Sequence, residues 1–390
     1  MKSVSGGIGD MPDAGRSVPV AGDRVPALDA RVSERVTRLG GRPPFVTVVV
    51  TVFNYERYVV DCLRSIAGQT YRHFKCIIVD DCSVDGSALA IERFIAEQSL
   101  AERFTLVRHS VNQGQMAGFK TGLEHAEGEF LVYVDADDLL LPDFLLGHLE
   151  VHLDEMPVAF TSSDQFQINE VGEVIAGRHA DLQVRGRYRR VGAHYLYENS
   201  WLWATTSSMM FRRAALQLIL PDVTEPFRVC ADNYICHFSN LVGGSILIPE
   251  RLGCYRRHGA NSFSSNRIVG GQHPTGDMRR HPRHDAIRQA TVEHLLDYAD
   301  RFVAVLAGWW YLVLLSRVLS FGEALRLVVD GSWGRRVRLP AYFKLPFLAR
   351  SLVNRLRWKA RRVVAFGPHV GKIARRIPSR PDSTHFEAGA

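Results

Sequence analysis

Three carboxylates crowd into four positions of the stretch FLVYVDADDLLLP, as Asp135, Asp137 and Asp138. The five residues FLVYV ahead of them suit a strand buried on both faces. In an extended chain Asp135 and Asp137 fall on the same side, two residues apart. Like charges held that close raise one another's pKa unless something positive sits between them. Hard divalent cations such as Mg²⁺ or Mn²⁺ take oxygen ligands, often one or two carboxylates together with substrate phosphates. The plainer account is a solvated acidic turn ahead of a helix that starts near Pro142. A second acidic pair, Asp80 and Asp81 in VDDCSVDGS, also follows an apolar run. Adjacent carboxylates accept hydrogen bonds from a base or from ribose hydroxyls, whereas Asp85 reads as a cap of the next helix.

Strands and helices must carry these groups to one place. Residues 45–53 are a continuous apolar and β-branched run, and FKCIIVDD, FTLVRH and 129–134 read as further strands. Between them, 57–69, 87–98 and 116–127 have helical spacing. Strands alternating with helices of this length predict βαβ units and a mostly parallel sheet flanked by helices. Ligands of such sheets bind beyond the carboxyl ends of the strands. Asn54, the Asp80–Asp81 pair and the 135–138 carboxylates all stand at such ends, so one crevice should hold them. Beyond Pro157, VAFTSSD and SSMMFRR read as strands, 230–241 as a helix, and GSILIPERLGCYRRHG as a strand leading into a turn.

The stretches TVVVTVFNYERYVVDCLRSIAGQTYRHFKCIIVDDCSVDGS, NQGQMAGFKTGL and LVYVDADDLLLPDFL together resemble the family 2 glycosyltransferases of the GT-A fold. The resemblance covers roughly residues 45–260, about half of the chain. It implies a nucleotide-sugar donor, a divalent metal on its diphosphate and inversion at the anomeric carbon. Phe53, Asn54 and Tyr55 match the first-strand end that cradles the base. Asp80 and Asp81 match the acidic pair at base and ribose. Asp135 matches the first acid of the D-x-D, near the ribose, and Asp137 the second, on Mg²⁺ or Mn²⁺; Asp138 matches a frequent further carboxylate. Asp232 in VCADNYICH matches the general base, with Ala231 where relatives keep another acid. Arg256, Arg257 and His258 in YRRHGANSF match a tail implied to hold the leaving diphosphate. The sequence departs from the family at Phe119 and Lys120, where many relatives have Arg-Asn, and at Cys82, where Gly is common. Lys120 still suits phosphates. UDP is the donor nucleotide most frequent among relatives, and a glycan or lipid-linked hydroxyl is the implied acceptor of polysaccharide biosynthesis.

Composition sets the surroundings. The apolar fraction of 46% excludes wholesale disorder. Residues 331–380 hold 14 Lys and Arg and no acid, and subtracting them from the net +7 leaves −7 for the rest. Aromatic residues interleave that basic stretch, at Trp333, Tyr342, Phe343, Phe347, Trp358 and Phe366. This combination suits the headgroups of an anionic membrane. No nucleic-acid fold motif accompanies it, so no nucleic acid is expected. The uncharged run 302–316 is 15 residues, short of the ~20 of a spanning helix, and reads as interfacial or buried. The six cysteines include no C-x-x-C pair and read as reduced thiols. The expected division is a disordered leader 1–42, a catalytic domain 43–265, a loop 266–285, a helical basic extension 286–380 and a tail. The location implied is cytoplasmic, peripheral to the inner face of the cell membrane. A degenerate GT-A module acting as a membrane-bound scaffold is the alternative from outside the enzymes. A receiver domain leaves D-A-D-D unexplained. Neither a P-loop nor a G-x-G-x-x-G motif is present.

Overall fold

β-Branched residues shape the sheet edge on which the acidic groups stand. The computed structural model describes residues 25–38, 40–154, 158–179, 182, 184, 188–192, 201–259, 261, 282–329 and 341–366. The first four strands are β1 (Val46–Val52), β2 (Phe74–Asp80), β3 (Phe104–Arg108) and β4 (Phe130–Asp135). They lie parallel in the order β3-β2-β1-β4. Val46, Val48, Val49, Val50 and Val52 of β1 are all buried. Each such valine contributes roughly 1.5 kcal/mol or more, which explains the unbroken apolar run. The helices α2 (Val59–Ala67), α3 (Ser87–Glu97) and α4 (Gln115–Glu124) link these strands. Register sets the crevice: Val52 pairs with Asp80 and Thr51 with Asp135, so three strand ends finish level.

Past β4 come β5 (Leu139–Leu140), α5 (Phe144–His152), β6 (Phe160–Ile168), β7 (Val174–Ala176) and β8 (Arg189–Val191). They are followed by β9 (Met209–Arg212), α6 (Arg213–Ile219), α7 (Ala231–Gly243) and β10 (Ser245–Arg256). The sheet continues β4-β9-β6-β10-β5, with β7 beside β6 and β8 beside β10. β9 runs antiparallel to both neighbours, whereas β6 and β10 pair in parallel. The fold is thus the expected α/β sheet flanked by helices, parallel over its first four strands and mixed beyond them.

The expected disordered leader is corrected over 25–38, which forms α1 (Val25–Arg38). Val32 and Val36, one turn apart, are buried. On α5, Glu150 accepts Arg31 Nε–H at 2.8 Å, and its carbonyl accepts the Arg35 guanidinium. Residues 1–24 lie outside the described residues, as do 262–265 at the end of the expected catalytic domain and 266–281 of the expected loop; from 282 that loop gives way to helix.

The chain divides into two compact units, Met1–His294 and Leu295–Ala390. The division falls within α8 (Pro282–Asp297). The second unit holds α9 (Ala299–Val318), α10 (Phe321–Val329) and α11 (Ala341–Phe366). Among the described residues no helix is long and apolar enough to cross a membrane. All six cysteines are free thiols.

Candidate functional site

A cavity of about 430 Å³ opens at the carboxyl ends of β1, β2 and β4. Phe53 and Tyr55 line it from the chain after β1, Asp81 from the chain after β2, and Gly114 and Gln115 from the start of α4. Asp135 and Asp137 line it from the end of β4, and Asp232 from the first turn of α7. Strand ends and the α7 N-terminus thus bring five of the expected residues, Phe53, Tyr55, Asp81, Asp135 and Asp137, together with Asp232.

The carboxylates differ in surroundings. Asp135 Oδ1 accepts Gln115 Nε2–H at 3.2 Å, and its own N–H donates to Ser207 Oγ. Burial, then Asp137 and Asp232, push Asp135 up to about 7, while hydrogen bonds from Gln115 and Thr206 oppose the rise. Asp137 Oδ2 accepts from His258 Nε2 and Asn261 Nδ2, each at 2.9 Å. Asp138 is fully buried, does not line the cavity, and accepts the Arg256 backbone N–H at 2.8 Å. Burial, followed by Asp137 and Asp135, holds its carboxyl well above the usual range. Asp81 is already well hydrogen-bonded: Gln113 and Gly114 donate their backbone N–H groups to it at 2.8 and 2.7 Å, and His109 Nδ1 lies 2.7 Å away.

Several expected donor contacts point elsewhere. Asn54, at φ 61°, donates its N–H to Ser83 Oγ and accepts the Val84 N–H on Oδ1, tying two loops together. Asp80 is fully buried, accepts the Ser83 N–H and pairs with Arg108 at 3.3 Å. Lys120 Nζ donates to the Asp222 carbonyl and lines no part of the cavity. The guanidinium of Arg256 is buried; it donates to the carbonyls of Asp137, Asn169 and Glu170 and lies over the Tyr58 ring. A cation committed to four such partners holds the backbone together and is not presented to a diphosphate. Arg257 donates its backbone N–H to the Ile168 carbonyl. His258 stacks on Tyr58 at 4.8 Å and orients Asp137. Cys82 takes φ 65°, the left-handed conformation a glycine would adopt freely.

Sequence reading passed over Gln115 and Arg228. Gln115 bridges the site, donating to Asp135 and accepting the Ala231 N–H on Oε1 at 3.0 Å. Gly114, at φ +89°, brings α4 so near that a Cβ there would meet Arg228 Cα at 2.6 Å. Arg228 lines the cavity and donates to the Asn112 carbonyl. The only signal in the sequence was the polar NQGQ run ahead of a helix.

Among the described residues no group of three or more His, Cys, Asp or Glu side chains assembles a metal cage. Asp135 and Asp137 give oxygen donors facing a cavity, and burial makes their crowded charge costly. Such a set fits Mg²⁺ or Mn²⁺ held jointly with substrate phosphate and water rather than by protein alone.

The glycosyl transferase family 2 model matches residues 47–219. An uncharacterized glycosyltransferase of Nostoc sp. (strain PCC 7120) is 27% identical over 282 residues, covering 71% of this chain and 80% of that protein. The putative glycosyltransferase EpsH of Bacillus subtilis is 37% identical over 112 residues, 29% of this chain and 31% of EpsH. The putative teichuronic acid biosynthesis glycosyltransferase TuaG of the same organism is 32% identical over 107 residues, 27% of this chain and 41% of TuaG. The match therefore spans less than half the length of the two Bacillus proteins. A crystal structure of S. aureus TarS with UDP-GlcNAc superposes with a TM-score of 0.49 at 17% identity, covering 74% of this chain and 76% of that one. Over residues 47–219, a little under half of its length, the chain is thus similar to glycosyl transferase family 2.

Proposed function

We propose that this chain is an inverting, metal-dependent transferase that moves a sugar from a nucleotide-diphosphate sugar to a hydroxyl of a glycan or lipid-linked acceptor. One observation carries the reading: Asp135, Asp137 and Asp232 line the same cavity as Phe53, Tyr55 and Asp81. Phe53 and Tyr55 offer ring faces to a base, and Asp81 holds the loop before α4 against it. Asp135 takes a ribose hydroxyl, and Asp135 and Asp137 together would hold Mg²⁺ or Mn²⁺. Bound there, such an ion neutralises charge on the diphosphate.

Asp232 accepts the proton of the acceptor hydroxyl as that oxygen bonds to the anomeric carbon. The bond from the same carbon to the diphosphate oxygen breaks, and one displacement inverts the centre. Its place in the first turn of α7 supports the role, since a helix N-terminus favours the negative charge a base must carry. Arg228 lines the cavity while donating to Asn112 and pairing with Glu225 at 3.5 Å, and its remaining N–H groups would meet charge developing on the leaving diphosphate. Lys120 and Arg256 have no part in this scheme. Residues 43–265 supply the catalytic portion, and the basic extension 286–380 keeps the enzyme peripheral to the cytoplasmic face of a membrane.

Titration calorimetry of UDP, dTDP and GDP with and without Mn²⁺ tests the donor site. One nucleotide is expected to bind only with metal and to lose that binding in Asp137→Ala. Asp232→Asn should keep nucleotide affinity and lose about 100-fold or more in donor turnover. No metal-dependent nucleotide binding at millimolar concentration would leave the scaffold as the better account.

A further inference from the structure

α11 has two faces of opposite character. Phe347 and Ser351 are buried, and Asn354 Nδ2 donates to the Ser316 carbonyl of α9 at 2.9 Å. That side packs inward. Leu345, Leu352 and Leu356 follow one another at seven and four residues, which places them on one stripe of the helix. They are 77%, 41% and 57% exposed, and Val353 beside them is 45% exposed. The helical advance sets Arg350 and Arg355, both exposed, on opposite sides of the stripe. A helix packed on a protein core ordinarily turns a polar face outward. Here the outward face is apolar between basic flanks.

We propose that α11 docks on an anionic lipid bilayer, with Leu345, Leu352 and Leu356 entering the headgroup–acyl boundary and Arg350 and Arg355 at headgroup level. This deepens the peripheral placement argued above and rests on that placement, not on the donor chemistry. Charge selects the occupant. α11 carries seven Lys and Arg and no acid, and the surrounding 331–380 stretch likewise has no acid. A second copy of this helix would set like charges against each other, whereas anionic headgroups attract basic side chains near the surface. The anchors differ from those expected of the sequence, because Phe347 faces inward and the leucines face out.

Cosedimentation of the full chain with phosphatidylglycerol–phosphatidylcholine vesicles, beside pure phosphatidylcholine, tests the proposal. The expected result is partition to the anionic vesicles that weakens between about 0.1 and about 0.5 M salt. The triple variant Leu345→Gln, Leu352→Gln, Leu356→Gln should lower partition about tenfold, with circular dichroism unchanged because all three side chains are exposed. Undiminished partition of that variant, equal binding to neutral vesicles, or no vesicle binding by the unmodified chain overturns the proposal. So does self-association that the same substitutions abolish, which would make the stripe a contact between copies. Nucleotide titration on the same samples separates the two readings. Vesicle binding without nucleotide binding sinks the donor assignment alone, and the converse sinks the docking face alone.

Discussion

Gln115 shows how one side chain couples the two chemical halves of the cavity. Its Nε2 reaches Asp135 and its Oε1 holds the Ala231 N–H, one residue before the proposed base. Removing it frees α7's first turn to shift relative to Asp135 and Asp137. Displacements of about 1 Å at a reacting centre cost about 100-fold in rate. Gln115→Ala is therefore expected to lower kcat about 10- to 100-fold while nucleotide affinity changes about threefold or less. Steady-state kinetics with calorimetry on the same protein read both quantities. A loss confined to affinity would place Gln115 on the donor side alone.

At the scale of elements, close approach of α4 to β1 fixes the cavity's inner wall. A Cβ added at Gly122 would run into Val49 of β1, and one at Gly118 would meet Thr51 Cγ2 at 2.9 Å. Val49 is fully buried and has no space to yield. Gly122→Ala is expected to destabilise the fold by about 1–3 kcal/mol through overpacking, although alanine favours helix. Urea unfolding of the variant measures it, and an unchanged midpoint would show that α4 moves outward freely. Breaks between elements also matter. The extension expected to be helical from 286 is interrupted at Tyr298 and again at Leu319, whose extended backbone ends α9.

Across the whole molecule, buried ionisable groups pull stability in opposite directions with pH. Burial keeps His148 well below its usual pKa, brings His152 down to about 3 and His179 to about 4. Their contribution is present above the unfolded value near 6.5 and is lost as pH falls toward those depressed values. Asp135, raised to about 7, acts in the other sense: its favourable contribution exists below the unfolded value near 4 and disappears as pH rises through 7. Asp138 adds to that alkaline limb. Thermal midpoints of the ligand-free protein should therefore peak in between and fall on both sides. Asp135→Asn is expected to gain about 1–2 kcal/mol near pH 8, after allowance for solvent at the cavity wall, and little near pH 4. An equal gain at both pH values would show that crowded charge is not what destabilises the site.

The sequence by itself determined the first four strands, because β-branched runs between amphipathic helices admit few other arrangements. It also located the carboxylates at strand ends, since a parallel sheet places its ligands there. Asp135 and Asp137 could be placed at the end of β4 for that reason, whereas Asp232, in the first turn of α7, was singled out only through the family resemblance. Whether a polar residue faces the cavity or the scaffold was decided only by tertiary structure. Arg256 and Lys120 have the charge for phosphate, yet carbonyls that no sequence pattern reveals capture both side chains. Gln115 had the opposite fate, an unremarked amide made central by the meeting of α4 with the 228–231 segment. In α11, the helical period was readable along the chain, but which side packs inward depended on contacts with α9. Local pattern follows from neighbours in sequence, whereas the use of each polar atom depends on partners 20 to 120 residues away.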